Sequence, residues 1–340
     1  MKHTVIIAEA GVNHNGSLEN AFKLVDAAAS AGVDYVKFQT FKSDKLVSKI
    51  AQKANYQVEN TQDIDESQFQ MLKKLELSEE DHAALIGYCK SKNVEFFSTA
   101  FDLGSLAYLS GIGIGMVKIP SGEITNLPYL RLAAKQFSKV ILSTGMATIE
   151  EIEAALEVFL KAGIPKKNIS ILHCNTEYPT PMKDVNLLAM LHLKETFGIS
   201  IGYSDHTLGI EVPIAAVALG ATIIEKHFTL DRSMKGPDHQ ASLEPGELKQ
   251  MVLAIRNIEM AISGTGIKEP SPSEMKNIVI ARKSIHLLNS LAENDSIQDS
   301  DLEMLRPGDG ISPMDVEKVI GRKLNKNLPA GTKLSLNDLL

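Results

Sequence analysis

The chain has 340 residues, of which 44% are apolar and 23% charged, a composition able to bury a sizeable core. Its length suggests one large domain and one small one. The net charge of −7 supplies no basic field for nucleic acid, so an anionic ligand would need a few local cations in a pocket. The apolar run before Glu9 is too short for a secretory signal, and no window is apolar enough to span a membrane. The two cysteines, Cys89 and Cys174, form no close motif. These features lead us to expect a cytoplasmic protein.

In chain order, short β-branched or apolar runs predict strands at Thr4–Ala8, Tyr35–Gln39, Glu95–Thr99, Met116–Ile119, Val140–Ser143, Ile169–His173, Ile199–Gly202 and Thr222–Glu225. Between them, Leu18–Ala31, Glu79–Lys92, Ile149–Ala162 and Val185–Phe197 carry the apolar spacing of helices. Ala31-Gly32 and Ala162-Gly163 read as helix C-caps. Eight strands alternating with helices predict an α/β protein, a (β/α)8 barrel over residues 1–265. The Gly-, Ser- and Pro-rich stretch that follows reads as a linker over 266–282. Residues 283–340 change texture, with a strand at Arg282–Leu287, short helices at Asp299–Asp301 and Val316–Ile320, and a turn at Arg306-Pro-Gly-Asp-Gly, and predict a small second domain. The Gly111-Ile-Gly-Ile-Gly run precedes a strand instead of following one, so it is no dinucleotide fingerprint.

A barrel of this kind builds its active site at the C-terminal ends of its strands, and every predicted strand delivers polar groups there. They are Glu9 with His14, Lys37 with Gln39, Thr99, Lys118 with Ser121 and Glu123, Ser143, His173 with Thr176 and Tyr178, Ser204 with His206, and Glu225 with His227. Lys37 and Lys118 interrupt apolar strands, where an unpaired ammonium is costly. They point to an anion site, aided by hydroxyls of Ser121, Ser143 and Ser204; the plainer alternative is a lysine paired with a neighbouring carboxylate. One such lysine alone would suggest Schiff-base chemistry. His206 and His227 end neighbouring strands and can converge on a divalent metal with open positions. His14 and His173 are possible metal ligands or packing residues. Asp238, in a Pro/Gly loop after strand 8, could orient a substrate hydroxyl or simply form an Asx-turn. Glu9 and Glu123 are candidates for proton transfer.

These motifs resemble the sialic acid synthase family: Glu9-Ala-Gly-Val-Asn-His-Asn-Gly, Val36-Lys-Phe-Gln-Thr-Phe-Lys, Lys118-Ile-Pro-Ser-Gly-Glu, Ile141-Leu-Ser-Thr-Gly-Met, Leu172-His-Cys-Asn-Thr-Glu-Tyr-Pro-Thr-Pro, Gly202-Tyr-Ser-Asp-His-Thr and Glu225-Lys-His-Phe-Thr-Leu-Asp. The resemblance runs in order from Val5 to the C-terminus. It implies condensation of phosphoenolpyruvate with an N-acylated mannose-type sugar to a nine-carbon keto acid and phosphate. The expected acceptor is N-acetylmannosamine, giving N-acetylneuraminate. A trideoxy diacetamido sugar giving N,N'-diacetyllegionaminate is the alternative.

By the same resemblance Lys37, Thr99, Lys118, Ser121, Ser143, Thr176 and Ser204 would bind phosphoenolpyruvate. Glu9, Gln39, Asn60, Tyr178 and Asp238 would bind the sugar, and Glu123 would handle protons, with Glu9 and Lys118 also counted as catalytic. His206 and His227 would hold manganese, with magnesium or cobalt as substitutes. The tail resembles the family's antifreeze-like (SAF) domain, which implies a domain-swapped homodimer in which Arg306 reaches a partner's sugar. One departure is Ala100, where the family has proline, which would loosen the placement of Thr99. Two other classes remain open: a lysine-dependent pyruvate aldolase and a non-catalytic carbohydrate-binding protein.

Overall fold

A computed structural model describes residues 3–61, 63 and 65–340, apart from the side chains of Tyr56 and Glu59. It divides into two compact units, Met1–Gly264 and Thr265–Leu340.

The first unit alternates strands and helices. In order they are β1 (Val5–Gly11), α1 (Leu18–Ala31), β2 (Tyr35–Thr40), α2 (Ser43–Leu46), α3 (Asn55–Thr61), α4 (Gln68–Lys73), α5 (Glu79–Ser91), β3 (Glu95–Ala100), α6 (Leu103–Gly111), β4 (Met116–Ile119) and α7 (Leu127–Gln136). The series continues with β5 (Lys139–Ser143), α8 (Ile149–Lys161), β6 (Ile169–His173), α9 (Ala189–Phe197), β7 (Ser200–Asp205), α10 (Glu211–Ala218), β8 (Ile223–His227) and α11 (Pro245–Ala261). All eight strands are parallel, in the ladder order β3-β2-β1-β8-β7-β6-β5-β4. The two end strands, β3 and β4, lie side by side, so the sheet curls into the expected (β/α)8 barrel.

Alternation along the strands sorts side chains between two environments. Ile6, Ala8, Val36, Phe38, Val140, Leu142 and Ile224 belong to the large core that packs against the helices. Ile7, Phe97, Ile141, Leu172 and Ile223 form a separate cluster on the opposite strand faces, inside the barrel. Because both faces are covered, β8 is buried along its whole length. Its outward Lys226 is neutralised by Asp205 at 2.5 Å, with neither side chain exposed to water.

Two local readings change. The β2-to-α5 connection holds three short helices, α2, α3 and α4, that the sequence periodicity did not reveal. The helix expected from Val185 starts only at Ala189, after a 3-10 turn at Met182–Asp184.

In the second unit, α12 (Pro272–Ala281) occupies ten residues of the stretch expected to be linker. Ser271 and Glu274 form a capping box around its first turn, and Pro272 opens it, which explains how a Ser/Pro-rich segment starts a helix. Strands β9 (Ser284–Leu287) and β10 (Leu302–Leu305) pair antiparallel. Their small core gathers Ile285, Leu287, Ile297, Ile311, Val319, Leu324, Leu328, Leu334 and Leu339. The helix expected at Val316–Ile320 is a 3-10 segment at Pro313–Lys318.

Candidate active site at the barrel mouth

Strand register assembles the site. In parallel strands, paired residues stand side by side on one face, and Glu9 pairs with Lys37 on β2 and with His227 on β8. Glu225 pairs with Ser204 on β7. Two residues further along their strands, a step that keeps the same face, lie Gln39 and His227, and His206 follows the last residue of β7. These groups line a cavity of about 170 Å³ at the C-terminal mouth, together with Thr99, Lys118, Ser121, Ser143, Cys174, Thr176 and Tyr178.

The cations are pre-paired. Lys37 lies 2.7 Å from Glu9 Oε2 and 3.7 Å from Glu225 Oε2, and it donates to Thr99 Oγ1 at 2.8 Å. Lys118 lies 3.3 Å from Glu225 Oε1, which also accepts the Ser204 hydroxyl at 2.9 Å. The plainer alternative for the lysines, pairing with a carboxylate, is therefore what the side chains show. The two carboxylates divide the charge. Burial pushes Glu225 up, but Lys118, Lys37 and the Ser204 hydrogen bond outweigh it and hold its pKa at about 2. Glu9 gives way instead: burial, with Glu225 adding repulsion, raises it to about 7 against the pull of Lys37. Glu225 thus stays firmly ionised while Glu9 is partly protonated near neutral pH, which reduces the negative charge around the two lysines.

In the same cavity, the His206 and His227 ring centroids are 5.5 Å apart, and the Tyr178 ring lies tilted at 4.1 Å from the first. Burial lowers the His206 pKa to about 4, and burial followed by repulsion from His206 and Lys37 takes His227 well below its ordinary value. Both imidazoles are therefore neutral, the form that ligates a metal. His206 Nδ1 donates to the Asn175 carbonyl at 2.5 Å, which leaves the Nε2 lone pair available. His227 Nδ1 is buried and makes no hydrogen bond, with Asp238 Oδ2 at 3.8 Å. Among the described residues no group of three or more His, Cys, Asp or Glu side chains forms a metal cage. A two-histidine site that leaves positions for substrate oxygen and water fits these donors.

Three expected residues of the first unit, Asp238, Asn60 and Glu123, are not part of the cavity wall. Asp238 is buried beside His227, and burial raises its pKa to about 6. Asn60 is buried, but its amide donates to the Pro237 carbonyl at 2.6 Å and so ties α3 to the Asp238 loop. Glu123 lines a neighbouring cavity of about 730 Å³ and accepts from Asn126 at 2.6 Å; burial raises its pKa. Arg306 belongs to the second unit, where it is exposed and donates to the Ala281 carbonyl at 3.0 Å. His14 and His173 are both held by local partners, the Gly16 amide and the Val185 carbonyl. Ala100 is buried and its carbonyl accepts the Tyr129 hydroxyl at 2.8 Å, so this segment is anchored without the proline.

Sequence reasoning assigned no role to Glu225 or Cys174. Glu225 was detectable, because it precedes His227 by two residues and so shares its strand face. Cys174 had no such signal.

Comparison with known proteins decides the family. The NeuB family model matches residues 24–268 and the SAF domain model residues 282–340. The chain belongs to the NeuB family. It is 53% identical to the N,N'-diacetyllegionaminic acid synthase of Campylobacter jejuni, over 96% of this chain and 97% of that one. It is 47% identical to the synthase of the same name from Legionella pneumophila, over 97% and 92%. The solved N-acetylneuraminic acid synthetase of Leptospira borgpetersenii shares 38% identity and a TM-score of 0.71, over 81% of this chain and 90% of that one. This NeuB-family chain is an enzyme, a sugar synthase on a (β/α)8 barrel with a C-terminal SAF domain. None of its described helices is long and apolar enough to cross a membrane.

Proposed function

We propose that the enzyme condenses phosphoenolpyruvate with open-chain 2,4-diacetamido-2,4,6-trideoxymannose and water, giving N,N'-diacetyllegionaminate and phosphate. The observation that carries the reaction class is one cavity lined by two buried lysines and two neutral imidazoles. The choice of sugar rests on the relatives at 53% and 47% identity and replaces N-acetylmannosamine as first choice. N-acetylneuraminate synthesis remains the second reading, favoured by the 38% identical solved structure.

In this reading Lys37 and Lys118 hold the carboxylate and phosphate of phosphoenolpyruvate, with Thr99, Ser121, Ser143, Thr176 and Ser204 adding hydrogen bonds. The buried Ser143 hydroxyl, which has no partner, supports this assignment. His206 and His227 would hold a divalent ion, manganese first, with magnesium or cobalt as substitutes. Such an ion, when bound, polarises an aldehyde oxygen. Gln39, Tyr178 and Asp238 orient the sugar, with Asn60 acting through the Pro237–Asp238 loop. C3 of phosphoenolpyruvate bonds to the aldehyde carbon, water adds at C2, and phosphate departs with its bridging oxygen. Glu9, with a pKa near neutrality, can hold or release a proton within this cavity, whereas Glu123 faces the neighbouring one.

The test is product identification by mass spectrometry after incubation with phosphoenolpyruvate and each sugar. Turnover of N-acetylmannosamine alone would reject the legionaminate assignment. Loss of turnover with chelator and recovery with Mn2+ would support the metal reading, and borohydride trapping of a pyruvate adduct at Lys118 would replace it with aldolase chemistry. The SAF domain supports two further parts of the proposal, a domain-swapped homodimer and contact between Arg306 and a partner's sugar. Molar mass from light scattering checks the first. A cytoplasmic location completes the reading.

A further inference from the structure

Ser121, Gly145, Cys174 and Thr176 form a tight cluster on the cavity wall, brought there by the ends of β4, β5 and β6. The Gly145 amide donates to Ser121 Oγ at 3.0 Å, and Cys174 Sγ lies 3.3 Å from the same oxygen. A Cβ on Gly145 would stand 2.6 Å from Thr176 Cγ2, 2.9 Å from Ser121 Oγ and 3.2 Å from Cys174 Sγ. A larger residue there would force Thr176 and Ser121 to shift, so glycine lets the four groups pack together. The buried Ser143 hydroxyl, without a partner, lines the same cavity.

A serine hydroxyl has two acceptor positions and one proton. The Gly145 amide takes one acceptor position. If the Cys174 thiol donates into the second, the Ser121 proton finds no further acceptor among the described residues and points into the cavity. If Ser121 donates to sulfur instead, the proton is turned away and an anion would meet an oxygen lone pair. We propose that Cys174 is a positioning residue: its S–H fills the last acceptor position of Ser121 and aims the Ser121 proton at the bound anion. In this role the thiol acts through Ser121 and does not react. Burial keeps it from solvent.

This rests on the reading of the cavity as the phosphoenolpyruvate site, and the test separates the two. Phosphoenolpyruvate binding is measured by calorimetry for the unaltered protein, Cys174→Ala, Cys174→Ser, Ser121→Ala and the Cys174→Ala/Ser121→Ala pair, each checked by thermal melting. Loss of one weak thiol hydrogen bond that orients the Ser121 donor predicts that Cys174→Ala weakens binding about three- to fivefold. Cys174→Ser, which keeps a donor, should recover most of the loss. In the Ser121→Ala background the same cysteine change should alter binding less than about twofold, since the residue through which it acts is gone. Equal factors in both backgrounds, or no loss in Cys174→Ala, would overturn the inference and leave the function reading intact. Absence of phosphoenolpyruvate binding by the unaltered protein would overturn both.

Discussion

Glu225 holds its carboxylate 3.3 Å from the Lys118 ammonium, with both side chains almost wholly buried. Its second oxygen lies 3.7 Å from Lys37, so one carboxylate from β8 serves two lysines from β2 and β4. Such a bridge places a compensating carboxylate beside both buried lysines. Removing one member of a buried ion pair strands the other, at a cost of about 3 kcal/mol or more. Glu225→Gln should therefore lower the unfolding free energy by about that much in phosphate-free buffer. Millimolar phosphate should restore more stability to this variant than to the unaltered protein. Denaturant unfolding with and without phosphate checks both; equal gains would show that the lysines do not depend on Glu225.

Gly145 is small for a steric reason, given the 2.6 Å and 2.9 Å approaches that a Cβ would make. Gly145→Ala should force apart Ser121 and Thr176, costing about 1–3 kcal/mol of stability through overpacking. The same displacement should weaken phosphoenolpyruvate binding about tenfold or more, as for loss of a charged hydrogen bond. The KM for the sugar should change far less. A variant with unaltered phosphoenolpyruvate binding would show that the wall yields without consequence.

His14 gives the protein an acid-sensitive point away from the cavity. It is fully buried, and burial lowers its pKa to about 4, while the unfolded chain binds the proton near the ordinary value. The folded pKa is depressed, so the neutral form's contribution is present above pH 6.5 and lost as pH falls towards 4. Between pH 7 and pH 5 this one residue should remove about 2 kcal/mol. His14→Asn keeps an acceptor for the Gly16 amide and should flatten that slope. Unfolding free energies at the two pH values test this, and an unchanged slope would place the acid sensitivity elsewhere.

Asn60 links the β2-to-α5 insertion to the loop that carries Asp238. Asn60→Ala should release Pro237 and raise the KM for the sugar about two- to tenfold, the range of one neutral hydrogen bond. The phosphoenolpyruvate KM should stay within twofold or so, because no lysine or serine of the anion site depends on this tie. Steady-state kinetics with each substrate varied in turn would show the split.

The barrel was legible in the chain because each strand had to be apolar on both faces, and such runs recur between helical spacings eight times. The polar residues at the strand ends were equally plain, since one end of every strand departs from that pattern. Lys37, Lys118, His206 and His227 could be named as site residues on those grounds alone. Which carboxylate balances the lysines was not legible. Glu225 is remote in sequence from both Lys37 and Lys118, and only curling the sheet brings β8 near β2 and β4. The direction of Glu123, the tie from Asn60 to Pro237 and the packing of Cys174 on Ser121 arise between loops, where no periodicity constrains a side chain. Local chemistry thus determined the elements and the kinds of group at the mouth. Tertiary structure decided their partners and their charge, because both depend on burial and on distances between strands far apart in the chain.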